Sequence, residues 1–223
     1  MSEQTDTPKE KIYYDQRSVA LRTKQNLYFV QEHDKPSMLE LLLNDYKNMQ
    51  VVIVVKSKKK ADELSAFLIS KEFKAVSIHG NHRASQQTEN ATKFNLGTLN
   101  IIITTNMIFK TLALENIKLV VSYNLADTPQ DYYTHLAFMK EMGEAISFVS
   151  PEDEPLLSDI EFNMKAEIKE KTIEGFIASE TPQTVSKSKN AKKKPRHRKS
   201  KKGECKKEDI PQHLSQKHHP VSP

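Results

Sequence analysis

The chain has 223 residues, of which 37% are hydrophobic, and a formal net charge of +5. This length leaves room for one ordinary domain and a tail, not for two large domains. The apolar runs are much shorter than the roughly 20 residues of a membrane span, and the polar start MSEQTDTPKEK lacks a signal-peptide core. A single cysteine, Cys205, excludes a disulfide framework. We therefore expect a cytoplasmic protein with no membrane partner.

Short β-branched runs of strand length alternate with helix-like segments along the chain. Leu39, Leu42 and Leu43 share one helix face, and the spacing of residues 61–68 predicts another amphipathic helix. This alternation predicts an α/β, three-layer fold with a mostly parallel sheet over residues 25–178. The predicted strands are Val51–Val55, Lys74–Ile78, Asn100–Thr104, Lys118–Ser122 and Ala145–Val149.

Positive charge is concentrated near the carboxyl end. Residues 187–207 hold twelve Lys/Arg and one Glu, a local net charge of +11, whereas the remaining residues sum to about −6. Such a block attracts phosphate backbones without reading sequence. We predict a polar segment over 1–24 and a disordered basic tail over 179–223. The candidate nucleic-acid contacts are Lys192, Lys193, Lys194, Arg196, Arg198, Lys199, Lys201 and Lys202.

An ordered series of short motifs covers about 150 residues. It includes Val51–Leu64, with a Ser-Lys turn before Ala-x-x-Leu, then Ile78-His-Gly-Asn81, Ile101-Ile-Ile-Thr-Thr105 and Gly143–Ser150. The series resembles the C-terminal RecA-like (helicase C) domain of DEAD-box RNA helicases, and Ile173-Glu-Gly-Phe176 resembles the end of RhlE-type members. The resemblance implies a RecA-like fold and RNA as a partner, held mainly by the basic tail. It also implies that Gly80 and Thr105 contact the RNA backbone, although turn geometry and strand-end packing explain both residues equally well.

The departures from the family pattern fall on its charged motifs. Where the family has Thr-Asp-x-x-x-Arg-Gly-x-Asp (motif V), this chain has Asn106 and Ala113 in place of the two acids, and Lys110 in place of the arginine. The family's Gln-x-x-Arg falls on Ala84 and Gln87, so an RNA-facing arginine is also missing. Lysine keeps the charge of arginine but not its planar fork. We therefore interpret motif V as degenerate.

The stretch 131–144 has the layout of the family's His-Arg-x-Gly-Arg-x-Gly-Arg (motif VI) but no arginine. One register puts Thr134 at the histidine and His135 at the first arginine, and a one-residue slip keeps His135 as the histidine. In either register the two phosphate-contacting arginines are replaced. An arginine finger contributes roughly 10³–10⁵ to the rate of nucleotide hydrolysis. The replacing residues come from the set Phe138, Met139, Glu141 and Met142.

The 223 residues contain neither G-x-x-x-x-G-K-[ST] nor Asp-Glu-Ala-Asp. No catalytic residue is therefore predicted, and ATP and Mg²⁺ are expected only if a partner supplies the phosphate loop. Three functions stay open: a non-catalytic RNA-binding protein, half of a split helicase that acts with a separate first domain, or a protein-interaction module that regulates a helicase or a ribosome-associated assembly factor. A gene remnant without function fits the same sequence.

Histidines are the remaining candidate functional residues, as possible metal ligands. His79 and His82 form a possible metal pair, but the sequence indicates no third ligand near them, so no metal site is predicted. His213, His218 and His219, with Cys205, lie in the tail, where only weak adventitious metal binding is expected.

Overall fold

The computed structural model describes residues 23–139 and 143–179. Seven parallel strands form one sheet in the order β3-β4-β2-β5-β6-β1-β7. All five predicted strands are confirmed, and two unpredicted strands extend one edge. The strands are β1 Lys24–Phe29, β2 Val51–Val55, β3 Ala75–Ile78, β4 Ile101–Thr105, β5 Leu119–Ser122, β6 Glu144–Val149 and β7 Lys169–Glu170.

Helices connect the strands and cover both faces of the sheet. None of the helices in the described residues has the length and apolar composition needed to cross a bilayer. A 3₁₀ turn, Pro151–Asp153, precedes the last helix. The helices are α1 Lys35–Asp45, α2 Lys58–Ser70, α3 Ala84–Asn95, α4 Asn106–Phe109, α5 Pro129–Ala137 and α6 Glu154–Met164.

The central strand β2 is buried along its whole length and contributes side chains to two separate hydrophobic cores. Because side chains alternate along a strand, Val51, Ile53 and Val55 pack with α1 and α2, whereas Val52 and Val54 pack with α3–α6 on the opposite face. The predicted leucines Leu39, Leu42 and Leu43 all lie in the first of these cores. The three-layer α/β prediction is therefore confirmed.

The order of the strands creates a crevice at one edge of the sheet. After β2 the chain crosses to β3, returns to β4 beside β2, and then passes to β5 on the other side of β2. In parallel α/β sheets, ligands bind beyond the carboxyl ends of the strands where the order of connections reverses. The loops after β2, β4 and β5 are therefore the expected place for a functional site.

Candidate functional site at the carboxyl edge of the sheet

An open groove of about 670 Å³ lies at the carboxyl ends of the central strands. We refer to it as the edge groove. Hydrophobic side chains from β2, α4 and the loop after β5 form much of its lining. Its polar lining comes from Lys56, Ser57, Lys58, Gly80, Thr105, Asn106, Asn124, Asp127 and His135.

Two lysines at the rim of the groove follow β2 directly. Ser57 ends the extended segment and caps α2, because its hydroxyl accepts the amide N–H of Lys60 at 3.1 Å. Lys56 Nζ lies 3.4 Å from a carboxylate oxygen of Asp127, so its charge is partly neutralised. Lys58 Nζ instead donates to the neutral amide oxygen of Asn81 at 2.8 Å. Lys58 therefore contributes positive charge to the rim.

Gly80 and Thr105 both line the edge groove, as the resemblance implied. Gly80 is not among the residues with positive φ, and a Cβ built there meets only Ile108 Cδ1 at 3.9 Å, an ordinary contact. The turn itself therefore does not require glycine at this position. Thr105 precedes α4 without capping it through its side chain. Both residues are therefore accessible from the groove, and their contact with RNA stays a prediction.

The motif V lysine is engaged by an acid of the same protein. Lys110 Nζ donates to Asp131 Oδ1 at 2.5 Å. Asp131 is fixed at the first turn of α5, where its amide N–H donates to the capping hydroxyl of Thr128 at 3.1 Å. The hydrogen bond from Lys110 is the main cause that lowers the pKa of Asp131, with further bonds from Thr128 and Asn106. Asp131 is thus a stable anion that neutralises Lys110.

His135 is buried and uncharged. Its Nε2 lies 2.8 Å from the amide oxygen of Asn106, which accepts the ring N–H, whereas its Nδ1 has no hydrogen-bond partner. Burial lowers the pKa of His135 to about 4; the positive charge of Lys110 lowers it further and the negative charge of Asp131 opposes the shift. The ring lies 5.5 Å from that of Phe109. At neutral pH the imidazole is therefore a neutral, structural side chain.

The chemistry available at the groove follows from the Lys110–Asp131 pair and the hydrogen bond between His135 and Asn106. Neither basic side chain of the motif positions directs free charge at a ligand, because Lys110 is paired and His135 is neutral. Backbone amides and the hydroxyl of Thr105 remain suited to hydrogen bonding with a sugar-phosphate backbone. The developing charge of a transferring phosphoryl group needs cations aimed at it, and neither Lys110 nor His135 supplies one in this arrangement.

The other predicted site residues do not join the groove. Ala113 is exposed in the loop after α4, and its carbonyl accepts a hydrogen bond from Asn95 at 2.9 Å. Phe138 packs on Phe109, with ring centroids 4.7 Å apart, so it acts as part of the core. Glu141 and the eight tail residues from Lys192 to Lys202 lie outside the described residues.

Sequence reasoning missed two groups that determine the charge at this edge. Asp131 was not predicted to pair with Lys110, although Thr128-Pro129-x-Asp131 is a helix-start pattern that places an acid in the first turn. Lys58 was seen only as part of a turn after β2. Both contacts join residues that are far apart in sequence: Lys110 and Asp131 are 21 residues apart, and Lys58 and Asn81 are 23 residues apart.

The expectation that no third ligand lies near His79 and His82 is wrong. Asp62, on α2, places a carboxylate oxygen 2.9 Å from His79 Nε2. One potential ligand atom from each of the three residues lies within 4.8 Å of the other two. The sequence could not show this because Asp62 precedes His79 by 17 residues and lies on a different element.

Comparison with known proteins identifies the domain. The helicase conserved C-terminal domain matches residues 34–136. The ATP-dependent RNA helicase SUB2-2 of Vanderwaltozyma polyspora is 33% identical over 178 residues, which cover 77% of this chain and 40% of that protein. The vasa ATP-dependent RNA helicase of Drosophila melanogaster is 32% identical over 141 residues, 61% of this chain and 21% of that protein. This chain therefore spans well under half the length of these relatives.

Solved structures agree on the fold. A DEAD box protein from Methanococcus jannaschii superposes with a TM-score of 0.64 at 25% identity, covering 69% of this chain and 43% of the other. Saccharomyces cerevisiae Dbp5 bound to RNA and ADP BeF3 gives a TM-score of 0.66 at 23% identity, covering 72% of this chain and 44% of Dbp5. The fold of the described residues is thus RecA-like.

Proposed function

Because the chain carries the helicase conserved C-terminal domain of the DEAD-box RNA helicase family, we propose that it binds RNA without hydrolysing ATP on its own. The observation that carries this proposal is the charge state of the edge groove. Lys110 is bound to Asp131 at 2.5 Å, and His135 is held neutral by burial. Motifs V and VI of this chain are, on this proposal, degenerate: they have lost the catalytic cations of the family.

The size of the rate contribution that an arginine finger makes supports the proposed loss of ATP hydrolysis. An arginine finger contributes roughly 10³–10⁵ to the rate of phosphoryl transfer, and the proposal assigns none to this domain. A lysine that already donates to a carboxylate loses that bond if it turns to a phosphate. The 223 residues also hold no phosphate-loop sequence. ATP and Mg²⁺ are therefore not expected to bind productively to this chain alone.

RNA affinity is assigned mainly to the basic tail over 179–223, in the manner of an RhlE-type extension. The +11 block at residues 187–207 interacts with phosphates through its net charge. Gly80, Thr105 and Lys58 in the edge groove add a weaker contact to the same backbone. Binding of this kind is independent of RNA sequence and strongly dependent on salt.

Deletion of residues 186–207 tests this proposal in a filter-binding titration with single-stranded RNA at several salt concentrations. We expect the intact chain to show a slope of log K against log salt of about −4 to −7, the value for 6–10 phosphate contacts on single strands. The deletion variant should bind at least about 100-fold more weakly at low salt, with a slope near −1. Unchanged affinity on deletion contradicts the proposal.

A matched pair of charge variants distinguishes the contribution of the tail to RNA affinity from that of positive charge elsewhere on the protein. The triple variant K192Q/K193Q/K194Q removes three positive charges from the tail. The control K59Q/K71Q/K93Q removes three charges that are already paired: Lys59 and Lys93 lie on helices beside Glu63 and Glu89, and Lys71, directly after α2, pairs with Glu40. We expect a loss of about tenfold for the tail variant and under twofold for the control, because paired lysines release fewer counterions from RNA.

The edge groove itself favours a second candidate, half of a split helicase. The groove is open, and Met107 beside it is 77% exposed, so a separate first RecA-like domain could dock there. On our primary proposal, adding this chain to a separately made DEAD-box first domain that carries the phosphate loop leaves the ATPase rate with RNA unchanged. Stimulation of the rate by tenfold or more, absent when Met107 is replaced by Glu, supports the split helicase instead.

A further inference from the structure

Asp62, His79 and His82 form a compact cluster on the side of the domain beside the edge groove. Asp62 lies in α2, His79 directly follows β3, and His82 belongs to the loop before α3. The two imidazole rings stack with centroids 4.1 Å apart and planes inclined by 26°. One potential ligand atom from each residue lies within 4.8 Å of those from the other two. We propose that this cluster binds one Zn²⁺ ion.

The ligand set matches the coordination chemistry of zinc. Two imidazole nitrogens and a carboxylate oxygen are three of the ligands that zinc accepts in a tetrahedral site, with water as the fourth. The position for that water is open, because the side chain of Asp62 is 56% exposed, whereas His79 is 3% exposed. An ion can therefore enter from the carboxylate side, and the imidazole of His79 forms the buried wall of the site.

Neighbouring groups already hold the three ligands in place. Ser77 Oγ donates to the carboxylate of Asp62 at 2.6 Å. The amide N–H of His79 donates to His82 Nδ1 at 3.2 Å, a bond that is lost when an ion binds, because one ring nitrogen then holds the ion and the other carries the proton. Gln87 Nε2 donates to the carbonyl of His82 at 2.9 Å and fixes the loop. Hydrogen bonds of this kind orient metal ligands and raise affinity. The loop therefore loses little freedom when an ion binds.

Binding also has a cost that limits the affinity. A cation must replace the 2.9 Å contact between His79 Nε2 and Asp62, and it moves the ring proton of His79 to Nδ1. That nitrogen now faces the amide N–H of Asn81 at 3.4 Å, a long and weak contact that is lost. Lys58 donates to Asn81, and its charge opposes the ion. We therefore expect micromolar affinity for Zn²⁺.

The consequence of binding is a cross-link between α2 and the β3–α3 loop. This loop includes Gly80, which lines the edge groove. A bound ion adds to the restraint on this loop and hence on the backbone that the groove presents. The metal site does not depend on the RNA-binding proposal, since its ligands are outside the groove lining.

Titration of the full chain with Zn²⁺, after removal of metals by a chelator, tests the inference, and Co²⁺ reports the geometry by its visible absorption. We expect His82→Gln to bind one equivalent less than the intact chain, or to bind that equivalent at least about tenfold more weakly, and to lose the tetrahedral Co²⁺ spectrum. His33→Gln is the matched control, because His33 is an exposed histidine 3.5 Å from Asp34. All variants keep the tail histidines, so background binding there cancels.

Two results decide the outcome. His82 and Asp62 are both on the accessible side of the cluster, so urea unfolding in chelator should be nearly the same for His82→Gln, Asp62→Asn and the intact chain. If neither substitution changes the stoichiometry, the affinity or the Co²⁺ spectrum, the cluster is a simple His–Asp hydrogen bond and the inference is overturned. If Zn²⁺ raises the thermal midpoint of the intact chain and of His33→Gln but of neither cluster variant, the inference holds.

Discussion

Replacement of Phe109 with alanine is expected to lower the free energy of unfolding by about 3–5 kcal/mol, the cost of truncating a fully buried phenylalanine. Phe109 is 0% exposed and belongs to the core that packs α3–α6 against the sheet. Its ring lies 4.7 Å from Phe138 and 5.5 Å from His135, so the cavity cannot close without moving both. Urea unfolding at pH 7, followed by circular dichroism, measures the change.

The effect should extend to the candidate site because α4 has only four residues. A helix of this length does not hold its own shape, and its position comes from the anchor that Phe109 provides. Asn106, at the start of the same helix, accepts the hydrogen bond from His135. A loosened α4 therefore weakens the contact that orients the buried histidine.

Phe162→Ala is the matched control for this prediction. The side chain of Phe162 is 82% exposed near the end of α6, and its loss should change the free energy of unfolding by less than about 0.5 kcal/mol. Equal effects of the two substitutions would falsify the assignment of Phe109 as the anchor of the site.

Prediction from sequence succeeded where one local pattern decided the structure. The five predicted strands, β2–β6, are short and mostly apolar, because helices cover both faces of the sheet. β1 was missed because it begins Lys24-Gln-Asn26, and its polar residues are stabilised by contacts such as that of Asn26 with Glu144, 118 residues away. β7 was missed because both of its residues are exposed.

The candidate site was predictable only in part, for a related reason. The missing arginines are visible in the sequence, and so are the positions of Asn106, Lys110 and His135. Their electrostatic state depends on neighbours brought together by folding: Asp131 pairs with Lys110, and burial neutralises His135. A charge present in the sequence is thus not necessarily available to a ligand.

His135→Gln is expected to remove about 3 kcal/mol of the acid-induced loss of stability between pH 7.5 and pH 4. The pKa of His135 is about 4 in the folded protein, because the ring is buried, against an ordinary value of 6.5. Below pH 6.5 the unfolded chain takes up a proton that the folded protein cannot bind until about pH 4. The stability contributed by the neutral ring is therefore complete above pH 6.5 and is lost as the pH falls from 6.5 towards 4.

Glutamine is the informative replacement because its amide N–H₂ can still donate to Asn106, yet it does not titrate. Urea unfolding at pH 7.5, 6, 5 and 4 compares the pH dependence of each protein with itself, so a constant packing cost of the substitution cancels. Carboxylates such as Asp131 titrate in both proteins and largely cancel too. His33→Gln, at an exposed histidine, should keep the acid sensitivity of the intact chain. If His135→Gln also keeps the acid sensitivity of the intact chain, His135 is not a buried, neutral side chain. The electrostatic basis for a groove without catalytic cations is then lost.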